Sequence, residues 1–167
     1  MRNTKKPRMN YNIFPKETSN YKSEFDSVEL IETLKENTLN GILSSTAYTT
    51  NKKFIGSVEK ESFKIISSSS RISMFCVFEG KLVTESKQIT LVKKFHPTFR
   101  NLFFFWAVAM LSIMLFLPGN SNRVATVVMF LTFAFLIRYL LITLIYRKSE
   151  EEGMEKLTDT LKLTEIY

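Results

Sequence analysis

The chain is poor in the residues from which most catalytic and metal sites are built, with one cysteine, Cys76, and one histidine, His96, in 167 residues. A single cysteine excludes an intrachain disulfide and any zinc site held by several thiolates. Set within "MFCVF", it reads as a small buried hydrophobe. A single histidine needs a nucleophile or carboxylate beside it for catalysis, or further ligands for a metal, and the sequence pattern points to neither. There is no glycine-rich phosphate loop, paired-carboxylate spacing or nucleophile elbow. The expectation is a non-enzymatic protein with no cofactor and no metal. The N-terminal "MRNTKKPRMNYN" is basic but has no apolar stretch behind it, so it does not read as a signal peptide.

Negative charge is missing from one long stretch. Residues 101–149 carry four basic and no acidic side chains, whereas residues 150–167 carry two basic and six acidic ones. Within that stretch lies "LFFFWAVAMLSIMLFLP", which is too apolar for a soluble core element. Basic charge beside apolar spans is the usual mark of the cytoplasmic side of a membrane, so no nucleic-acid polymer is expected as a partner. The run 101–118 would extend about 27 Å as a helix, just enough for the hydrocarbon core. After "PGNSN" a second apolar stretch runs from Arg123 to Tyr146. Two spans joined so closely predict an antiparallel hairpin. Lys93, Lys94 and Arg100 precede the first span and Arg147 and Lys148 follow the second, which predicts that both termini lie in the cytoplasm.

Elsewhere the pattern is that of a small α+β domain. Residues 1–22 read as a basic flexible arm. "FDSVELIETLKENT" carries a helix start, with Asp26 as cap, Glu29 three residues on and Phe25 placed to pack on Leu30. It predicts a helix over 27–37 with Val28, Leu30, Ile31 and Leu34 on one face. From Gly41 the period changes to two, and "GILSSTAYTT", "KKFIGSVEK", "SFKIISSS", "MFCVFEGKLVTE" and "KQITLVKKF" predict five strands. The expected fold is an α+β membrane protein. It has a β-rich cytoplasmic domain over 23–96 (a curved antiparallel sheet or half-barrel with a short N-terminal helix), transmembrane helices over 97–118 and 121–148, and a C-terminal helix over 149–167 that packs on the sheet.

Arg138 interrupts the second span. If the hairpin folds about its turn so that facing residues have numbers summing to 239, Asn101 lies level with Arg138. The arginine then sits at the cytoplasmic boundary near Arg100, where its stem can snorkel to lipid phosphate. The remaining "YLLITLIYRK" must then continue into the domain as part of one long rod. If the span is instead Val124–Tyr146, Arg138 lies about 4–5 Å from the midplane and needs a partner, which makes it a functional residue. Anionic lipid headgroups could also engage "MRNTKKPR". Phe103, Phe104, Phe105 and Trp106 fall where an aromatic belt meets the headgroups. Gly56 and Gly80, inside strand patterns, predict a bulge or a close backbone approach.

The stretch from Phe54 to Trp106 resembles a family of small uncharacterised bacterial membrane proteins. The residues that carry the likeness are Phe54, Gly56 and Val58 of an F-x-G-x-V hairpin, Phe63, the Gly80–Leu82 step, and His96–Pro97 ahead of two spans. The resemblance implies this layout and a bacterial inner-membrane location, but no activity. A looser, architectural similarity is to bacterial antiviral effectors that couple a small β-barrel to a two-helix membrane module. Two functional expectations follow. One is a membrane-anchored interaction or sensing module, with a protein partner or a homo-oligomer. The other is a membrane-perturbing effector gated by a nucleotide-like signal.

Overall fold

Asp26 sets the start of the first helix. Its Oδ1 accepts from the backbone N–H groups of Val28 and Glu29 at 3.1 and 2.8 Å, and helix α1 runs Ser27–Asn37. Leu30, Ile31 and Leu34 are buried, but Val28 is 69% exposed. At about 100° per residue Val28 falls roughly 110° from the centre of the buried arc, so the expected four-residue face has three members. The computed structural model describes residues 13–43, 50–68, 72–83, 87–116 and 122–166.

The strands are β1 (Lys16–Ser23), β2 (Thr38–Asn40), β3 (Phe54–Val58), β4 (Ser62–Ser67), β5 (Cys76–Val83), β6 (Gln88–Phe95) and β7 (Leu163–Ile166). They form one sheet in the order β2-β3-β4-β5-β6-β1-β7. Where a purely antiparallel sheet or half-barrel is expected, the sheet is mixed and open. β2 follows α1 directly and runs parallel to β3, and β7 ends the sheet at the opposite edge. Of the expected strand 41–50, residues 41–43 are not strand and 44–49 lie outside the described residues.

Both chain ends depart from expectation. Residues 16–22, assigned to the flexible arm, belong to β1, pairing with β6 from Lys16↔Lys94 to Lys22↔Gln88. Only Tyr21 and Ser23 of this strand are buried, so it shows little of the apolar alternation that marks a strand in sequence. The expected C-terminal helix ends at Leu161. There Lys162 turns into the left-handed region (φ 49°), and Leu163–Ile166 pairs with β1.

The principal core lies between one face of the sheet and the helices. Phe54, Phe63, Ile65, Phe78 and Leu91 meet Leu30, Leu34, Leu157 and Leu161 there. On the other face Ile55, Ile66 and Val77 form a smaller cluster beneath Leu39, Leu43 and Met74. The middle strands are thus buried on both sides, which accounts for their two-faced hydrophobicity.

Helix α2 (Pro97–Phe116) leaves the end of β6, and α3 (Arg123–Leu140) follows. Their large apolar side chains stay on the surface: Phe105 is 73% exposed, Val108 65%, Val124 75% and Phe135 65%. Both helices are long and apolar enough to cross a membrane. The connection at 117–121 lies outside the described residues. Trp106 touches Phe130 and Phe133, with ring centroids 5.9 and 6.5 Å apart.

The second apolar helix runs on past Arg138 as expected, but it does not stop at Lys148. One helix continues from Val124 to Leu161, 38 residues, through a π-helical turn at Leu141–Tyr146 into α4 (Arg147–Leu161). In a regular α-helix Phe130 and Gly153 would point roughly 140° apart, and the extra residue of a π turn reduces this to roughly 40°. The wide turn therefore lets one face serve α2 above and the sheet below. Tyr146, Ser149, Gly153, Leu157 and Leu161 are buried along that lower face. A Cβ on Gly153 would lie 2.4 Å from the Phe78 ring, so glycine is what allows the helix to sit this close.

Gly153→Ala tests this contact. Alanine would normally stabilise a helix interior by up to about 1 kcal/mol. Here it should destabilise the protein by about 1–3 kcal/mol, because it overpacks a filled core. Chemical denaturation of the two proteins in detergent measures the difference.

Candidate functional site

The expected site residues separate into two groups. Phe54, Gly56, Val58 and Gly80 belong to the β3–β5 interior. Gly56 has φ +151°, and a Cβ there would come 2.1 Å from the Lys64 carbonyl oxygen. A Cβ on Gly80 would come 2.1 Å from the Phe63 ring, which lies over it. These glycines make room for a neighbouring strand and for a ring. Phe54 and Leu82 are buried beside them, and Val58 packs on the same core.

His96, Pro97, Arg100 and Arg138 gather instead where the sheet meets the apolar helices. An aromatic cluster joins the two parts. The Phe75 ring stacks on Phe99 with centroids 4.2 Å apart, and Phe14 stacks on Phe95 at 4.8 Å. Phe14 also meets Phe103 and Phe104 edge-on at 5.5 and 5.8 Å. Such pairs are each worth about 0.5–1.5 kcal/mol beyond their buried area. Phe103 and Phe104, expected in an aromatic belt, thus pack against the segment ahead of β1.

The segment that carries Phe14 also meets Arg138. The Arg138 Nε–H donates to the Ile13 carbonyl at 2.6 Å, and the guanidinium lies 5.9 Å from the centre of the Phe135 ring. The partner is therefore a backbone carbonyl ahead of β1, a contact between residues 125 apart in sequence that no local pattern announces. Among the described residues the guanidinium makes no other hydrogen bond. Arg100 is exposed, and its side chain makes no ion pair among them.

His96 is 3% exposed. Its backbone N–H donates to the Phe75 carbonyl, and its Nδ1 accepts from the Thr98 N–H at 3.2 Å. Nδ1 therefore carries no proton, and Nε2 makes no hydrogen bond of ordinary geometry among the described residues. Burial pushes its pKa below 6.5, opposed by the backbone of Leu43 and assisted by the charge of Lys64. Cys76 is fully buried, and burial, with Glu150 nearby, pushes its thiol up to about 12. The residue is inert packing.

Two charged clusters were not anticipated from sequence. Lys93, inside the expected alternation of β6, points to the helix face, where its Nζ meets Glu150 at 2.7 Å and Glu17 at 3.2 Å. Burial alone would lower its pKa, but the hydrogen bond and charge of Glu150, with Glu17, raise it. The clasp ties the first turn of α4 to β6 and β1. Beside it the Ser149 hydroxyl accepts from the Cys76 N–H and donates to the Ser73 carbonyl, both at 2.9 Å. On the opposite face of the sheet Glu79 holds Lys64 at 3.1 Å and Lys94 at 2.7 Å. Its carboxyl stays below the usual range, because the two lysines outweigh its partial burial. Glu79 and Lys64 border an open groove of about 520 Å³ over Ser57, Thr90 and Val92.

No family model, curated protein or solved structure matches the chain. The residues themselves therefore carry the functional argument.

The pH dependence of stability follows from His96. The unfolded histidine binds a proton near pH 6.5 and the folded one resists it, so stability is full above about pH 6.5 and declines as pH falls towards the folded value. His96→Asn, which keeps an acceptor for the Thr98 N–H, should flatten that decline below about pH 6.5. Thermal melts across this range compare the two proteins.

Proposed function

We propose that the chain is a non-enzymatic integral membrane protein that holds a β-domain in fixed orientation at the membrane surface as an interaction or sensing module. The observation that carries this reading is the unbroken helix Val124–Leu161. Its first part displays Val124, Val128, Leu131 and Phe135 outward, and its last part places Leu157 and Leu161 in the core of the domain. In water the exposed part would be a severe liability, since contiguous apolar surface of this kind belongs in lipid or against a partner. In a bilayer the same helix satisfies both environments, and the aromatic junction and the Lys93 clasp keep the domain from swivelling on it.

In this reading α2 and α3 form an antiparallel transmembrane hairpin. Support comes from the short connection and from Trp106 and Phe133, a contacting pair whose numbers sum to 239. Arg138 then stands at the cytoplasmic boundary. Tyr139, Leu140 and Leu144, exposed on the flank away from the domain, lie in the headgroup layer, because Arg138 to Leu144 spans only about 9 Å. The distribution of basic residues supports a cytoplasmic domain and a bacterial inner-membrane setting, in keeping with the family resemblance. Non-enzymatic action fits the chemistry of the interior: the one thiol is buried with its pKa raised, and the one imidazole is buried and held. The ligand-gated effector is the weaker reading, because Lys64 in the open groove is already paired with Glu79, which also holds Lys94.

Topology tests the proposal. Cys76 is buried, so single cysteines can be introduced without background labelling. In inverted inner-membrane vesicles, Glu155→Cys and Lys22→Cys should react with a membrane-impermeant maleimide and Asn122→Cys should not. Right-side-out vesicles should give the reverse pattern. Equal labelling of all three positions in both preparations would overturn the transmembrane hairpin.

A further inference from the structure

Helix α4 and strand β5 set out from the same level. The Cys76 N–H donates to the Ser149 hydroxyl, and from there both elements run away from the junction with the apolar helices. Heights on the two opposite surfaces of the domain can therefore be counted from one origin. On the helix side Glu151, Glu155 and Asp159 are exposed, four residues apart, on the crest of α4 opposite its buried stripe of Ser149, Gly153 and Leu157. At 1.5 Å per residue they stand about 3, 9 and 15 Å beyond Ser149. None of the three makes an ion pair among the described residues, although like charges at this spacing repel.

The face of the sheet away from the helices has the opposite sign. There the strand positions of β1, β4, β5 and β6 carry Lys16, Lys22, Lys64, Lys81 and Lys94 against one carboxylate, Glu79. Lys94 is level with Val77 and Lys64 with Glu79, and Lys81 lies two residues further along β5. At about 3.3 Å per residue these levels are about 3, 10 and 17 Å beyond Cys76. The lysines thus start at the same height as the acids and repeat at nearly the same interval. Glu79 binds Lys64 and Lys94 but can balance only one of them, and Lys81, which borders the open groove, makes no ion pair among the described residues.

A bilayer adds a geometric condition. Two copies anchored in one membrane share its normal and their height, so they differ only by a shift in the plane and a turn about the normal. Sheet against sheet would then set lysine against lysine, and helix layer against helix layer would set carboxylate against carboxylate, both of which are repulsive. Sheet against helix layer sets opposite charges at equal height. We propose that the open face of the sheet receives the α4 crest of a second copy of this chain, with Glu151, Glu155 and Asp159 opposite Lys94, Lys64 and Lys81. The contact is heterologous, so each copy holds one neighbour and is held by another, and the assembly extends along the membrane as a ring or a row. The inference names a partner for the interaction module above and rests on its membrane reading, which supplies the shared height.

Cross-linking between two differently marked chains tests the contact. Thr90→Cys places a thiol on the open face level with Lys81, and Thr158→Cys places one beside the α4 crest; neither alters a charge, and Cys76 is buried. The full chains are reconstituted into liposomes, singly and mixed, floated, and treated with a flexible bismaleimide. The mixture should give about fivefold or more cross-linked dimer than either chain alone, as a heterologous contact requires. High salt should suppress it. Lys81→Glu on the Thr90→Cys chain should lower the yield about fivefold, and Asp159→Lys on the Thr158→Cys chain should restore it, a rescue that no folding defect imitates. Loss without rescue would overturn the pairing. Either chain alone cross-linking as well as the mixture would show an isologous contact and overturn the proposal. Floated chains that do not cross-link in the mixture would overturn the contact and leave the membrane reading intact. Failure to float would overturn the membrane reading and the shared height with it.

Discussion

One helix must satisfy two surroundings, and the rest of the structure follows from that constraint. Val124–Leu161 turns apolar side chains outward over its first half and buries an apolar stripe in a protein core over its second. A regular α-helix would carry the contact face roughly 140° around its axis between Phe130 and Gly153. The π-helical turn at Leu141–Tyr146 absorbs most of that rotation. A glycine at 153 then lets the helix settle on Phe78, and Ser149 ties the start of β5 to the helix by two hydrogen bonds.

The junction is strong because different kinds of contact meet there. Phe14, Phe75, Phe95, Phe99 and Phe103 make a continuous set of ring contacts between sheet and helix α2. On the helix face of the sheet the buried Lys93 is held by the partly buried Glu150 and, at the surface, by Glu17. Breaking such a pair by removing one partner costs more than the pair contributes, because a buried charge is left uncompensated. A rigid connection of this kind suits the proposed role, in which the orientation of the domain at a membrane matters.

Much of this was legible in the sequence. The cap at Asp26 fixes α1 through local chemistry, and strands β3 to β6 announce themselves by alternation and turn residues. The two apolar stretches and the long rod beyond Arg138 follow from length and from the need to shelter "LITLIY". What was not legible depends on distant pairing. β1 is a polar strand stabilised by β6 some seventy residues away, and β7 exists because β1 offers it an edge. β2 pairs in parallel with β3 across a connection that local patterning does not resolve. At the site, the position of Arg138 could be argued from span length, but its acceptor, the Ile13 carbonyl, could not. Lys93 looked like one more residue of an alternating strand, and only the packing of α4 shows why a lysine faces the core.

The central claim is that the long apolar helix and the domain form one rigid body. Native-state hydrogen exchange of the full chain in lipid nanodiscs tests it most directly, read at the amides from Ile142 to Gly153 and compared with β5. Rigid coupling predicts that these amides exchange as slowly as the β5 amides Val77–Leu82, in one cooperative unit. Fast exchange across Ile142–Ser149 while β5 stays protected would mean that the helix opens between membrane and domain, and would contradict the account.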